Sequence, residues 1–253
     1  MLNQLDIQDV ISIAKEAGKA IMKIYGTDFK VQYKEDSSPL TLADKNANEV
    51  IEDGLNDLMA DIPILSEEGK DISYEERKKW EYFLLIDPLD GTKEFVKKNG
   101  EFTVNIALIH KDTPVLGVVY APALEVCYWA KKGEGAFKNG QPLPLKFEKK
   151  NEYYKVVASR SHMSDETQEF INSINTNKKI ELISIGSSLK ICLVAEGAAN
   201  IYPRLGPTME WDTAAAHVII NESGKSLKSF EGGNFKEHLY NKKNLLNPFF
   251  IVN

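Results

Sequence analysis

The strongest constraint on the fold is a mainly apolar run, WEYFLLI at 80 to 86, that leads directly into the segment DPLDGT at 87 to 92. An apolar run of this length, rich in aromatic and branched residues, predicts a buried strand. Pro88 and Gly91 disfavour both regular structures and predict that the strand ends there. The chain is therefore expected to form a buried sheet whose edge carries a rigid acidic turn.

The turn offers four hard oxygen donors within a few residues. Asp87 and Asp90 lie three positions apart, and the Leu89 carbonyl and the Thr92 hydroxyl accompany them. Oxygen ligands of this kind suit Mg²⁺. On spacing alone, a polar hairpin tip explains the same residues, so the segment predicts a metal site only together with other carboxylates.

Further acidic residues follow other predicted elements. Glu67 and Glu68 come directly after a short apolar run at 62 to 65, and Asp212 opens a strongly apolar helix in WDTAAAHVII. Strands that end in acidic residues can gather carboxylates at one sheet edge, where they repel one another without a cation. A solvated loop explains Glu67 and Glu68 equally well, and a helix-dipole preference explains Asp212 and Asp44.

Several groups have the chemistry to contact an anion. Gly186, Ser187 and Ser188 open a helix predicted over 187–196, where backbone N–H groups are free to bind phosphate, and Lys190 lies in its first turn. Other candidates follow predicted strands: Arg204, Ser159, Arg160, Ser161 and His162. Each of these residues has an alternative role as a helix cap or a surface charge.

The periodicity of apolar residues divides the chain near residue 150. Helices are predicted over 6–25 and 41–59, and residues 102–138 show the alternation of an antiparallel meander. After a charged segment, strands and helices alternate, which is typical of an α/β unit. The predicted domains are 1–150, carrying most metal ligands, and 151–253, carrying Asp212 and the substrate contacts.

Composition excludes several classes of function. The formal net charge is -6 and no long basic run is present, which disfavours binding to a nucleic-acid polymer. The four histidines form no zinc-binding pattern, and the two cysteines are expected to be buried thiols. No apolar run is long enough to span a membrane. These features predict a cytoplasmic protein, and they leave peripheral association with the membrane surface open.

Taken together, Glu67-Glu68, DPLDGT at 87 to 92 and WDTAAA at 211 to 216 resemble the lithium-sensitive, Mg²⁺-dependent phosphatase superfamily that includes inositol monophosphatase and fructose-1,6-bisphosphatase. Within it, the chain most resembles the 3'(2'),5'-bisphosphate nucleotidases of the bacterial CysQ type. The segments that carry this likeness are DGTKEFVKKNGEFTVNIALI, VVASRSH, GSSLKICLVAEGAANIYPR and GPTMEWDTAAAH.

The resemblance implies both a fold and a reaction. The fold is mixed α/β, a layered α/β/α/β arrangement of two subdomains with the active site between them. The reaction is hydrolysis of 3'-phosphoadenosine 5'-phosphate (PAP) to AMP and phosphate, with 3'-phosphoadenylyl sulfate as a second substrate. A metal-activated water attacks phosphorus directly, and two or three Mg²⁺ ions are expected. The biological role would be removal of a by-product of sulfate assimilation or sulfotransfer.

The resemblance also implies roles for individual residues. The expected metal ligands are Glu67, Asp87, the Leu89 carbonyl, Asp90 and Asp212. Glu67 and Thr92 are expected to act on the attacking water, and Asp44 to hold the Thr92 hydroxyl. The expected substrate contacts are Glu67, Leu89, Asp90, Gly91, Thr92, His162, Ser187, Lys190, Arg204 and Asp212, with Lys190 and Arg204 at the 5'-phosphate.

Two other functions remain open at this point. One is an inositol or sugar phosphatase of the same superfamily, which would differ mainly in the residues on the substrate side. The other is a non-catalytic sensor of metal or nucleotide, although a protein that only binds has no need of the complete ligand set. The oligomeric state does not follow from the sequence.

Overall fold

A computed structural model describes residues 5–27, 32–33, 39–40, 42–146, 152–158 and 164–253. The helices are α1 (Ile7–Tyr25), α2 (Leu42–Leu58), α3 (Tyr74–Arg77), α4 (Thr92–Val96), α5 (Asp165–Asn172), α6 (Leu189–Ala195) and α7 (Ala214–Glu222), with a 3₁₀ turn over Glu210–Asp212. The strands are β1 (Gln32–Tyr33), β2 (Pro39–Leu40), β3 (Ile64–Ser66), β4 (Tyr82–Asp90), β5 (Thr103–His110), β6 (Thr113–Ala121), β7 (Val126–Lys131), β8 (Gly135–Lys138), β9 (Gln141–Pro142), β10 (Tyr153–Ala158), β11 (Lys179–Ser184), β12 (Tyr202–Arg204), β13 (Leu227–Glu231), β14 (Asn234–Glu237) and β15 (Phe250–Val252).

The first helix shows how local sequence sets an element. The Asp6 side chain accepts a hydrogen bond from the Gln8 N–H and caps the N-terminus of α1, and Gly26 follows its last turn. Every third or fourth residue is apolar, so that one face is buried. The helix matches the predicted range of 6–25.

The main sheet has seven strands in the order β3-β4-β5-β6-β7-β8-β9. The β3–β4 pair is parallel, and all other neighbours are antiparallel. The meander predicted over 102–138 is therefore confirmed. It holds the central strands in a fixed register beneath the acidic turn.

The prediction that the strand over 80–86 does not continue into the DPLDGT segment is wrong. Strand β4 continues through Pro88 to Asp90, and its pairing with β5 shifts register between Asp87 and Asp90. Proline lacks the N–H that a regular ladder requires, and it is tolerated at an irregular position of this kind. The acidic residues thus belong to the sheet itself, which holds them more rigidly than a free turn would.

The sheet is covered on both faces. Alternate residues of its strands pack against α1 and α2 on one face, and against α6 and α7 on the other. A second sheet of order β12-β15-β13-β14 lies below α6 and α7 and completes an α/β/α/β order of layers. The predicted mixed α/β fold is confirmed. Contact between α7 and β6 is close, since a Cβ on Gly117 would lie 2.2 Å from the Ala215 carbonyl oxygen.

Two helix boundaries in the second half differ from the prediction. The helix expected over 187–196 begins at Leu189, after Ser187 adopts a φ of 51°. The helix expected from Glu210 is divided at Thr213, because the Asp212 side chain accepts from the Met209 N–H and closes a 3₁₀ turn before α7 starts. Both interruptions lie where the second half approaches the acidic turn.

The division of the chain near residue 150 stays a prediction, and residues 147–151 lie outside the described ranges. The two halves share one core, because α7 packs on strands of the large sheet. Neither cysteine forms a disulfide, and both are buried. None of the helices in the described part of the chain is long and apolar enough to cross a membrane.

Candidate metal centre and active site

Three carboxylates converge at one edge of the large sheet. Strands β3 and β4 are parallel with Ser66 opposite Ile86, so Glu67, which follows β3, and Asp87, which lies within β4, are at the same level of the sheet. Asp212 reaches them from the 3₁₀ turn of the second half. One oxygen from each of the three lies within 4.8 Å of the others. The structure thus joins two of the predicted acidic segments with a third that is distant in sequence.

The electrostatics of this cluster favour a cation. Burial raises the pKa of Asp87 well above its ordinary value, and the charges of Glu67, Asp90 and Asp212 raise it further. Burial and then the Asp90 charge likewise raise the pKa of Asp212, although a hydrogen bond from the Met209 N–H opposes this. Carboxylates that are buried together repel one another. A close set of hard oxygens that destabilise each other fits a divalent ion such as Mg²⁺.

Asp90 belongs to the same site but is held differently. Its Oδ2 accepts hydrogen bonds from the Ser188 N–H at 2.6 Å and the Ser188 hydroxyl at 2.9 Å, with the Asn105 amide at 3.5 Å. Among the described residues, the group of oxygens within 4.8 Å of one another consists of Glu67, Asp87 and Asp212. The role of Asp90 as a metal ligand stays a prediction.

The C-terminal end of β4 carries hydrogen bonds between its own residues. The Leu89 N–H donates to Oδ1 of Asp87 at 3.1 Å, and the Thr92 hydroxyl donates to the Leu89 carbonyl at 3.4 Å. Gly91 has a φ of 94°, which favours glycine, and lies immediately before α4. Asp44 is buried, and its charge contributes to the raised pKa of Asp87, which places it near the cluster. The expected contact between Asp44 and Thr92 stays a prediction.

A cavity of about 90 Å³ adjoins the carboxylates. Its wall combines acidic, cationic, hydroxyl and apolar side chains: Asp90, Ser187, Ser188, Lys190, Ile191, Tyr202, Arg204, Thr208, Asp212, Thr213 and Phe250. The predicted substrate residues Ser187, Lys190 and Arg204 are therefore brought together beside the carboxylate cluster. His162, by contrast, lies outside the described residues.

Two cationic side chains of the cavity wall, Lys190 and Arg204, can contact an anion. Burial lowers the pKa of Lys190, and the Asp90 charge opposes that shift. Arg204 donates from Nη2 to the Pro207 carbonyl at 2.6 Å. Within the described part of the chain, its Nε and the Ser187 hydroxyl are buried without a hydrogen-bond partner. Buried polar atoms of this kind favour a ligand that supplies the missing bonds.

The sequence pattern of the inositol monophosphatase family matches residues 3–248. The chain belongs to the inositol monophosphatase family. Enzymes of this family depend on metal ions, generally Mg²⁺, which agrees with the carboxylate cluster.

Curated and solved relatives agree with this assignment. The chain is 46% identical to a 3'(2'),5'-bisphosphate nucleotidase CysQ of Salmonella typhimurium, over 97% of this chain and 98% of the relative. A crystal structure of CysQ from Bacteroides thetaiotaomicron has a TM-score of 0.86 and 43% identity, over 97% of this chain and 95% of that chain. An IMPase of Thermotoga maritima has a TM-score of 0.78 and 27% identity, over 97% and 91%.

In this member of the inositol monophosphatase family, two N–H groups before α6 that were predicted to be free for phosphate already have partners, so the prediction is wrong for them. The Ser188 N–H donates to Asp90, and the Gly186 N–H donates to Oε2 of Glu101 at 2.9 Å. Both donors are therefore engaged by carboxylates of the chain itself. The sequence could not show these bonds, because they form only where the segments that carry Asp90 and Glu101 pack against this loop in the folded protein.

The sequence did not reveal a second set of polar residues around the site. Asn105 and Glu210 are buried, and Thr208 and Tyr202 line the cavity. The sequence could have singled out Asn105, since it is a polar residue inside the apolar strand TVNIALI. A buried polar side chain needs partners, so a polar residue in this otherwise apolar strand marks a position that faces other polar groups.

Proposed function

We propose that the chain is a Mg²⁺-dependent 3'(2'),5'-bisphosphate nucleotidase that hydrolyses the 3'-phosphate of PAP to AMP and phosphate. The observation that carries the proposal is the cavity in which Lys190 and Arg204 lie beside the acidic cluster of Glu67, Asp87 and Asp212. The carboxylate cluster would hold the metal ions that bind the phosphate to be cleaved. Lys190 and Arg204 would bind a second phosphate. Relatives over nearly the full length are bisphosphate nucleotidases, which supports the same activity.

The proposed metal ligands are oxygen donors of the carboxylate cluster and of the DPLDGT segment. Glu67, Asp87 and the Leu89 carbonyl would hold one Mg²⁺, and Asp87, Asp90 and Asp212 would hold a second. A third ion is left open. When bound, Mg²⁺ neutralises charge on the phosphate and makes water a stronger nucleophile at neutral pH. The cluster provides the negative charge that keeps these ions in place.

The residues of the chain have distinct tasks in the reaction. Glu67 is at the exposed end of the cluster, where it accepts the proton of the attacking water. Thr92 orients that water, and the N–H groups of Gly91 and Thr92 hold the transferred phosphate. A new bond forms between the water oxygen and phosphorus, and the bond between phosphorus and the 3' oxygen breaks. The 3' oxygen takes up a proton from solvent water, and Glu67 returns the proton that it accepted to solvent afterwards. No covalent enzyme intermediate is required.

The other contacts position the nucleotide. Lys190 and Arg204 bind the 5'-phosphate, with the Ser187 hydroxyl as a further donor. Arginine suits this position because its planar group binds phosphate through two parallel hydrogen bonds. His162 and the use of 3'-phosphoadenylyl sulfate as a second substrate remain parts of the proposal that rest on the family resemblance.

The test is phosphate release by the purified protein with Mg²⁺, comparing PAP, inositol 1-phosphate and fructose 1,6-bisphosphate under the same conditions. We expect a strong preference for PAP that a chelator abolishes. A preference for inositol phosphate would keep the metal centre and overturn the substrate. Absence of metal-dependent release from all three would contradict the proposed reaction and favour a sensor.

A further inference from the structure

Ser188 connects three segments of the chain at the edge of the acidic cluster. It is buried at 4% exposure and lies immediately before α6. Its N–H and hydroxyl both contact Oδ2 of Asp90, at 2.6 and 2.9 Å. The same hydroxyl oxygen lies 2.7 Å from the backbone carbonyl of Asp212. From the strand β5, the Asn105 amide donates to that oxygen at 3.0 Å.

The Ser188 hydroxyl can donate only one of these hydrogen bonds at a time. A serine hydroxyl has one hydrogen to donate and two lone pairs to accept. The Asn105 amide fills an acceptor position, so the single hydroxyl hydrogen is shared between Asp90 Oδ2 and the Asp212 carbonyl. Asn105 therefore orients the hydroxyl toward the two segments that carry the acidic residues.

The arrangement restricts Asp90 to one side-chain orientation. Among the described residues, the donors to Asp90 all bond to Oδ2, so Oδ1 is the oxygen that faces a further ligand. The bond to the Asp212 carbonyl acts on the second segment at the same time. One side chain thus sets the position of the acidic turn of β4 relative to the 3₁₀ turn that carries Asp212.

The loop around Ser188 has little freedom to adjust. Ser187 holds a φ of 51°, and a Cβ on Gly186 would lie 2.5 Å from the Glu101 carbonyl oxygen. The Gly186 N–H is itself bonded to the Glu101 carboxylate. Since the loop is fixed against the first half of the chain, the contacts of Ser188 are set by the fold rather than by a local choice of rotamer.

We infer that Ser188, oriented by Asn105, is a positioning residue of the metal centre. It holds Asp90 and Asp212 in the joint arrangement that binds the divalent cation, although it is not itself a ligand. This inference rests on the proposed function, because it assumes that the carboxylate cluster binds Mg²⁺. Residues that orient metal ligands typically change metal affinity or activity by about 10- to 100-fold when they are replaced.

The experiment compares Ser188→Ala with Ser223→Ala. Ser223 is a matched control, because it is buried at 7% exposure and donates to the Ile220 carbonyl at 2.7 Å, at the far end of α7. Both variants lose one buried hydroxyl bonded to a main-chain carbonyl. The purified proteins are freed of metal, and the thermal denaturation temperature is followed as Mg²⁺ is added.

We expect both variants to denature at a lower temperature than the wild type without metal. Only Ser188→Ala is expected to raise the Mg²⁺ concentration for half-maximal stabilisation, by about tenfold. If the Mg²⁺ concentration for half-maximal stabilisation is the same in both variants and the wild type, the inference is overturned and the proposed function stays intact. If Mg²⁺ does not stabilise the wild type either, the metal-dependent function fails and the inference with it.

A second variant keeps the test decisive if Ser188→Ala does not fold. Asn105→Ala removes the donor that orients the hydroxyl, together with the longer contact of the Asn105 amide with Asp90 at 3.5 Å, and keeps the Ser188 side chain that bonds to Asp90. It is expected to raise the half-saturating Mg²⁺ concentration severalfold. An unchanged value in this variant would count against the assignment of Asn105 and Ser188 as a positioning pair.

Discussion

The ammonium of Lys242 lies 2.6 Å from Oε1 of Glu210, a carboxylate that is fully buried. The same carboxylate accepts hydrogen bonds from the main-chain N–H groups of Asn241 and Lys242, at 2.6 and 3.0 Å. Glu210 begins the 3₁₀ turn that ends at Asp212. The C-terminal segment is thereby fastened to the part of the chain that contributes the third acidic residue of the cluster.

Replacing Lys242 with Met should lower the free energy of unfolding by about 2 kcal/mol, because it leaves the buried Glu210 charge with fewer donors. Urea unfolding at pH 7 measures the change. Lys228→Met is the control, since it breaks an ion pair with the exposed Glu237 and should cost less than about 0.5 kcal/mol. Equal losses in the two variants would show that the burial of Glu210 does not matter.

Two buried histidines should make the fold sensitive to mild acid. Burial lowers the pKa of His217 and of His238 to about 3. An unfolded histidine has a pKa of about 6.5, so the unfolded chain binds more protons than the folded one between these values. The stabilisation is complete above a pH of about 6.5 and is lost as the pH falls toward 3.

The histidine contribution can be isolated with His217→Gln. We expect the wild type to lose up to about 1.4 kcal/mol per pH unit more than the variant as the pH falls from 6 to 4, from the one missing proton site. The free energy of unfolding is measured in urea at each pH. Parallel curves for the two proteins would contradict the neutral, buried state of His217.

Replacing Asp87 with Asn should separate stability from activity. The variant removes one charge from a buried group of like charges, and an amide oxygen can still accept from the Leu89 N–H. Without metal, the free energy of unfolding should rise by about 1 kcal/mol. Phosphate release should fall by at least about 100-fold.

The matched control for that experiment is Asp71→Asn, which changes an exposed aspartate outside the site. It should alter neither the stability of the metal-free protein nor the rate. Added Mg²⁺ should stabilise this control as it does the wild type, and should not stabilise Asp87→Asn. Full turnover by Asp87→Asn would exclude Asp87 as a metal ligand.

Arg204→Ala should reduce activity selectively on the bisphosphate. Its guanidinium lines the cavity and has a buried Nε that lacks a partner among the described residues. Hydrogen bonds to charged groups contribute about 1.5–3 kcal/mol, so kcat/KM for PAP should fall by roughly 10- to 100-fold. A nucleoside 3'-monophosphate serves as the internal control and should change little. Equal losses on both substrates would remove Arg204 from the 5'-phosphate site.

Much of the local structure could be predicted from residues close together in the chain. The apolar run before Asp87 identifies a buried strand, and the spacing of apolar residues identifies α1 and α2. The donor atoms of the DPLDGT segment are likewise a local property. These predictions succeed because the repeat of a helix or strand, and the chemistry of a short turn, involve only neighbouring residues.

The sequence by itself determined which oxygen donors this protein offers and which elements carry them. Only the tertiary structure decided that Glu67, Asp87 and Asp212 meet, that Asp90 and Glu101 occupy the N–H groups expected to bind phosphate, and that Ser188 joins the two halves of the site. These contacts depend on strand order, on the register of β3 with β4, and on how α6 and α7 pack against the sheet. No local periodicity encodes them, because they unite residues far apart in the chain.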